Sequence, residues 1–201
     1  TAPIEVSETA QILEAGSISA IIEPGASAVL DALERGREHA LVCFDPNARP
    51  SIMGEPAVAL VSLERFIALA DVVKVSDEDI EWLTGGAPID KVVDRWLRLG
   101  PSLVVVTRGK HGSDVATASG VRFTKTPSDV KVVDTVGAGD SFMGGMIDAM
   151  WGMGLRGADA REALRSLPEE QVRAIIDRAS AVSDVTVSRK GANPPWAHEL
   201  S

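Results

Sequence analysis

A lone cysteine, Cys43, leaves no partner for an intramolecular disulfide, and its place inside the apolar run at residues 40–44 marks it as a core thiol in a reduced compartment. Histidine is almost as scarce, and His39, His111 and His198 show no metal-ligand spacing. Basic residues number 20 against 29 acidic ones, a formal net charge of −9. That balance argues against a nucleic-acid or anionic-membrane surface, although a local basic pocket could still take phosphate. No apolar stretch approaches the roughly 18 to 20 residues that span a bilayer. No basic segment leads into an apolar one near Thr1, so no secretory signal is visible and cytoplasmic residence is the simplest expectation. Internal repeats and low-complexity tracts are missing too. What remains, 45% hydrophobic and 24% charged over 201 residues, is the composition of one globular domain spanning 1–201.

Strand-length apolar runs alternate with helical patterns, the sign of βαβ units and a mainly parallel sheet. Residues 18–22, 40–44, 72–75 and 103–106 read as strands, and 115–118 with 121–124 as a hairpin around the two-residue loop Ser119-Gly120. Residues 130–133 then return to the sheet. Helices are expected over 26–37, 62–69 with Ser62 as its cap, 76–83, 88–99, 140–153 and 168–183. Ser76 and Asp79 have capping-box spacing, and Gly85 and Gly86 end that helix. Trp82 and Trp96 fall on helical packing faces. Ligands in open α/β sheets collect beyond the carboxyl ends of the strands. There stand Asp45, Asn47 and Arg49, then Ser76 and Asp79, then Thr107 and Gly109, and finally residues 137–140.

The last of these is the most informative. Residues 132–148 read VVDTVGAGDSFMGGMID, a strand-like run, a glycine-rich turn and a helix around one carboxylate expected to be buried. Gly137, Ala138 and Gly139 are small enough for three successive N–H groups to approach an anion. Asp140, in the first turn of the helix, could then act as general base for an alcohol while those N–H groups hold charge on a transferring phosphoryl group. The rival reading is an Asp that only caps the helix. It leaves the small residues before Asp140 unexplained, whereas close approach of a ligand requires them. Arg49 offers paired donors to an oxyanion, with a surface salt bridge as its rival.

DTVGAGDSF resembles the second signature of the PfkB, or ribokinase-like, family of carbohydrate kinases. Matching segments run in the family's order: GSIS at 16–19, FDPNARPSI at 44–52, KVSDEDIEWLTG at 74–85, VVVTRGKHGS at 104–113 and SRKGANPPW at 188–196. Together they cover nearly the whole chain, and DPNARP with GANPPW most resembles the bacterial fructokinase branch. The resemblance implies a ribokinase-like three-layer α/β/α fold that binds ATP and Mg2+. Asp140 would be the base, with Gly137, Ala138 and Gly139 forming the anion hole. Asn47 and Arg49 would meet sugar or phosphate, and Thr107, Gly109 and Gly112 would contact nucleotide. Ser76 and Asp79 stand where the family has an Asn and a Glu that organise magnesium-bound water, and the helix segment 179–184, with Ser183, would lie against adenine. Asp134 and Thr135, with Thr186, Arg189 and Gly191, resemble a K+ loop, although Pro195 replaces a position often filled by a hydroxyl residue.

These matches imply an ATP-dependent sugar kinase acting on the 6-hydroxyl of fructose. Kinases of sugar acids, ribose or nucleosides share every motif quoted, and a catalytically silent ATP-binding fragment is the alternative in another class. Only the later two thirds of the family pattern is matched. Its sugar-binding front part, its β-sheet lid and the homodimer formed through that lid have no counterpart in these residues, so the chain is expected to lack an N-terminal part.

Overall fold

A computed structural model describes residues 3–200. Six strands form one sheet in sequential order, β1 (Ile12–Gly16), β2 (Leu41–Asp45), β3 (Val72–Ser76), β4 (Leu103–Thr107), β5 (Ser113–Thr117) and β6 (Arg122–Lys125). The first four run parallel and the last two antiparallel. Helices α1 (Gly25–Gly36), α2 (Pro50–Met53), α3 (Pro56–Leu69), α4 (Asp77–Thr84) and α5 (Ile89–Leu99) lie in the first half of the chain. Leu33, Leu63, Phe66, Ile80 and Trp96 from these helices pack with Val42, Phe44, Val73 and Val104 on one sheet face. The opposite face, with Leu41, Cys43, Val72 and Val105, is covered by α6 (Ala138–Gly152), α7 (Arg161–Arg165) and α8 (Glu169–Val187) through Met146, Met150, Leu164 and Ile175. The result is the expected three-layer α/β/α arrangement. Alternation along each strand sends successive side chains to the two cores, which explains why β2 and β4 read as unbroken apolar runs.

Local expectations hold where a physical signal is strong. Ser76 caps α4 and Asp79 completes the capping box, while Gly85 ends the helix in the left-handed region at φ 67°. Cys43 is fully buried, and burial raises its thiol pKa well above the usual range. Trp96 is buried, with its Nε1 donating to Glu64 Oε1 at 3.2 Å.

Four expectations are corrected. Residues 18–22 are not a strand: Ser17–Ala20 form a short 3-10 helix, and the strand precedes them at Ile12–Gly16, paired with β2. Ile18 and Ile22 stay exposed, so their β-branched character never finds a sheet neighbour. Ser62 does not cap α3, which begins at Pro56, a proline suited to the first helical turn. The hairpin between β5 and β6 turns through residues 118–121, with Thr117 Oγ1 accepting from Val121 N at 3.0 Å. Residues 130–133 do not return to the sheet. Val132 and Val133 are exposed, and the N–H groups of Val133 and Asp134 donate to Val187 O at the end of α8, at 2.8 and 3.2 Å.

At the opposite, amino edge of the sheet, Asp71 is almost wholly buried. It accepts from Val42 N and from Arg161, whose Nε lies 2.6 Å from its Oδ1. Arg161 Nη2 also donates to the carbonyls of Arg37 and Ala40, so one guanidinium ties α7 to the ends of α1 and β2.

Candidate active site

Backbone geometry at the start of α6 sets the site. Gly137 is the N-cap, in the left-handed region at φ 78°. The N–H of Ala138 is spent on Thr135 O at 3.2 Å, which removes it from the expected set of anion donors. Among the described residues, the N–H groups of Gly139 and Asp140 have no acceptor and point along the helix start, where the macrodipole is positive. Asp140 is exposed, not buried as its apolar neighbours suggest, although Phe142, Met143 and Met146 of the same helix enter the core.

The two glycines are small for reasons that the sequence did not show. A Cβ on Gly137 would lie 2.8 Å from Ala192 Cβ, and one on Gly139 would lie 2.8 Å from Lys74 Nζ. Protein atoms therefore back the turn, and ligand approach is not the sole reason for glycine at either position. Ser183 adds to this support, donating through Oγ to Ala138 O at 3.2 Å. Its hydroxyl thus fastens α8 to the turn.

Lys74 was not singled out in the sequence, and Asp45 was placed at its strand end without a partner. Their side chains are each only 5% exposed and pair at 2.6 Å, one residue beyond the paired Phe44 and Val73 of β2 and β3. Burial pushes the Asp45 carboxyl up from its ordinary value; Lys74 pulls it back, and Asp79 and Asp140 raise it further. Glu14 on β1 is exposed to solvent, but the partial burial of its carboxyl raises it as well, with Asp45 and Asp140 adding to the effect and Lys74 opposing it. Glu14, Asp45, Asp79 and Asp140 thus share one neighbourhood. The available signal was a lysine inside the strand-length run VVKVS, one β-α unit after an aspartate at a strand end.

The loop after β2 reaches the same place. Asn47 adopts φ 38°, and Arg49 Nη1 folds back to donate to Asn47 Oδ1 at 2.6 Å and to the carbonyls of Asn47 and Ala48. Asp79 Oδ1 accepts from Ala48 N at 3.1 Å, so the Ser76-Asp79 cap also pins this loop. Thr107 Oγ1 donates to Val75 O at 3.3 Å across adjacent strand ends. Beyond it, Gly109 (φ 48°) opens a short 3-10 turn and Gly112 (φ 86°) sits where a Cβ would meet Lys125 O at 1.9 Å. The hydrogen bonds of this loop run to itself and its close packing to the β6 end, not to the α6 turn. Arg108 is held by Asp114 at 3.2 Å and Asp77 at 3.9 Å, whereas Lys110 and His111 are exposed.

Of the residues assigned to a monovalent-cation loop, Asp134 meets Gly191 and Thr186 meets Arg189, while Thr135 accepts from Ala138 N in its own turn. Asp134 accepts from Val136 N at 3.0 Å and Gly191 N at 2.8 Å, and these two backbone hydrogen bonds hold its carboxyl below the ordinary value. Thr186 is buried, its carbonyl accepting from Arg189 N at 3.1 Å, while the Arg189 side chain pairs with Glu199. Among the described residues no group of three or more His, Cys, Asp or Glu is arranged to hold a metal ion. Four acids facing one buried lysine nevertheless leave an excess of negative charge. That suits a divalent cation carried mainly by phosphates and water. A recess of about 190 Å³ between α5 and the β5–β6 hairpin includes none of the candidate residues.

Comparison with known proteins agrees with this geometry. Residues 3–199 match the family described as pfkB family carbohydrate kinase. An Arabidopsis thaliana protein named "Probable fructokinase-2" is 34% identical over 194 residues, covering 95% of this chain and 56% of that protein. The structure of fructokinase from Vibrio cholerae O395 with fructose, ADP and calcium ion is similar with a TM-score of 0.75 at 29% identity, over 94% of this chain and 58% of that one. Aminoimidazole riboside kinase from Salmonella enterica, complexed with aminoimidazole riboside and an ATP analog, gives a TM-score of 0.76 at 27% identity, over 94% and 61%. The chain thus spans a little over half the length of these relatives.

Proposed function

The chain belongs to the pfkB family of carbohydrate kinases, and from that premise we infer that it carries the nucleotide and base half of an ATP-dependent sugar kinase, with the 6-hydroxyl of fructose as acceptor. One observation carries the reading. An exposed carboxylate, Asp140, stands in the same helical turn as two N–H groups without acceptors, Gly139 and Asp140. A hydroxyl oxygen that gives its proton to Asp140 attacks the γ-phosphorus, the bond to the ADP oxygen breaks, and the turn stabilises charge on the transferring group. Ser76 and Asp79 would hold a magnesium ion through water, and that ion would supply neutralisation of the phosphate charge. Asn47 and Arg49 form the polar rim on the β2 side, and Thr107 to Gly112 the nucleotide side. Asp134, Thr135, Thr186, Arg189 and Gly191 would form the loops that hold a K+ ion.

Fructose as acceptor is supported by the fructokinase relatives, one of which holds fructose and ADP. The likeness to aminoimidazole riboside kinase favours a riboside as the second acceptor class. Coupled turnover with fructose, ribose, a sugar acid and aminoimidazole riboside separates the two, since only the true acceptor consumes ATP at a saturable rate. Asp140→Asn should keep MgATP affinity by calorimetry and lose at least about 10²-fold in kcat. An unchanged kcat would rule out Asp140 as base, and MgATP binding without turnover on any acceptor would leave a silent nucleotide module.

A further inference from the structure

The turn that would receive phosphate has a cation directly behind it. Lys74 Nζ lies 2.8 Å from where a Cβ of Gly139 would be, on the protein side of the turn, and is held by Asp45 Oδ2 at 2.6 Å. Only one carboxylate oxygen is used: Asp45 Oδ1 is buried without a partner. Stability alone gives a weak reason for this pair. Two charges with 5% exposed side chains each carry a desolvation cost, and well-packed apolar residues of similar volume are commonly as stable. A lone buried oxygen deepens that cost.

Electrostatics gives a better reason. Asp45 and Asp140 raise the Glu14 carboxyl, and Asp79 and Asp140 raise that of Asp45, so a phosphate bound at the Gly139 turn would share its neighbourhood with four acids. Lys74 is the cation closest to the Gly139 peptide and is walled off from solvent, so its field is weakly screened. The geometry points to Lys74 as a positioning residue: its ammonium, aimed by Asp45, acts through the Gly139 turn to hold the phosphate of ATP beside Asp140. This rests on the ATP-binding reading above and extends it to a residue that never touches the nucleotide.

Three variants of the full chain test it: Lys74→Met, Asp45→Asn and the double variant Asp45→Asn/Lys74→Met. Lys74→Met alone leaves a buried carboxylate unpaired and is expected to lower the unfolding midpoint. The double variant removes both charges and is expected to regain most of the wild-type midpoint. A purely structural pair predicts that MgATP affinity returns with stability. A positioning ammonium predicts instead that the double variant, though folded, binds MgATP about tenfold more weakly by calorimetry. Where turnover is present, kcat falls with it while the acceptor KM stays within about twofold. Wild-type MgATP affinity in the refolded double variant would overturn the assignment. If the wild type binds MgATP but phosphorylates no acceptor, the kinase reading fails while the affinity comparison still decides the role of Lys74. If it binds no MgATP, both fall.

Discussion

Gly144 and Gly145 are adjacent in α6 and differ in what surrounds them. A Cβ on Gly144 would meet nothing within 4 Å, whereas one on Gly145 would lie 2.7 Å from Ala179 Cα, 3.1 Å from Val182 Cγ2 and 3.2 Å from Arg178 O. Ordinary contact begins near 3.4 Å, so Gly145→Ala requires α6 and α8 to part locally by about 3.4 − 2.7 = 0.7 Å. The nearest obstacle is backbone and cannot swing aside. Overpacking of this kind costs about 1–3 kcal/mol, against which alanine regains about 1 kcal/mol of helix propensity. Taking the upper part of that range for a backbone clash leaves a net loss of about 1–2 kcal/mol. Gly144→Ala keeps only the favourable part, a gain of about 0.5–1 kcal/mol. For a domain of this size these correspond to a Tm lower by about 3–6 °C for Gly145→Ala and higher by about 1–3 °C for Gly144→Ala. Far-UV circular dichroism during thermal and urea unfolding reads both. A Gly145→Ala variant as stable as the wild type would refute the close approach of the two helices, and a clear loss in Gly144→Ala would refute the open space beside it. The outcome bears on the site, because α6 carries Asp140 at its first turn.

Arg161→Met takes the close cation from the buried Asp71 carboxylate, leaving Val42 N at 2.9 Å and Arg37 Nη2 at 3.7 Å, and should cost about 3 kcal/mol in urea unfolding; a loss below about 1 kcal/mol would mean that the pair is not a buried one. For Glu14, burial and then Asp45 and Asp140 raise the folded-state pKa above its ordinary 4.5, so the folded chain holds that proton more tightly than the unfolded chain does. The ionised side chain therefore opposes folding above its folded-state pKa, and the effect disappears below about 4.5. Glu14→Gln should raise the urea midpoint at pH 7 and leave it unchanged near pH 4; an equal gain at both pH values would point to packing instead of charge.

Legibility in the sequence followed the range of the forces involved. The Ser76-Asp79 cap, the Gly85 stop and the apolar strands at β2 and β4 are set by neighbours a few residues away, and local pattern was enough to find them. Val132 and Val133 look like a strand by composition, but no sheet partner stands beside them and their backbone is met by the end of α8 instead. Ile18 and Ile22 failed for the same reason. At the site, Asp140 and the turn were visible because they are contiguous in sequence. The Lys74-Asp45 pair was not, since it joins residues 29 apart and one partner is hidden in an apolar strand. The glycines were noticed for their size, but what fills the space behind them, Ala192 and Lys74, is a matter of tertiary packing.

Val187 O, which accepts from both Val133 N and Asp134 N, gives the last turn of α8 a second duty. Asp134 in turn takes the N–H of Gly191, just past the end of the same helix. Unwinding that turn releases Val133 and Asp134 at once, and loosening Asp134 frees the carboxylate that anchors Gly191. The end of α8 and the segments at 132–137 and 189–192 thus form one cooperative opening unit, whose amides should exchange with solvent on a common timescale apart from the sheet. A molecule that stiffens either loop would slow exchange throughout the set, which makes the helix end a reporter of occupancy at a distance from the turn itself.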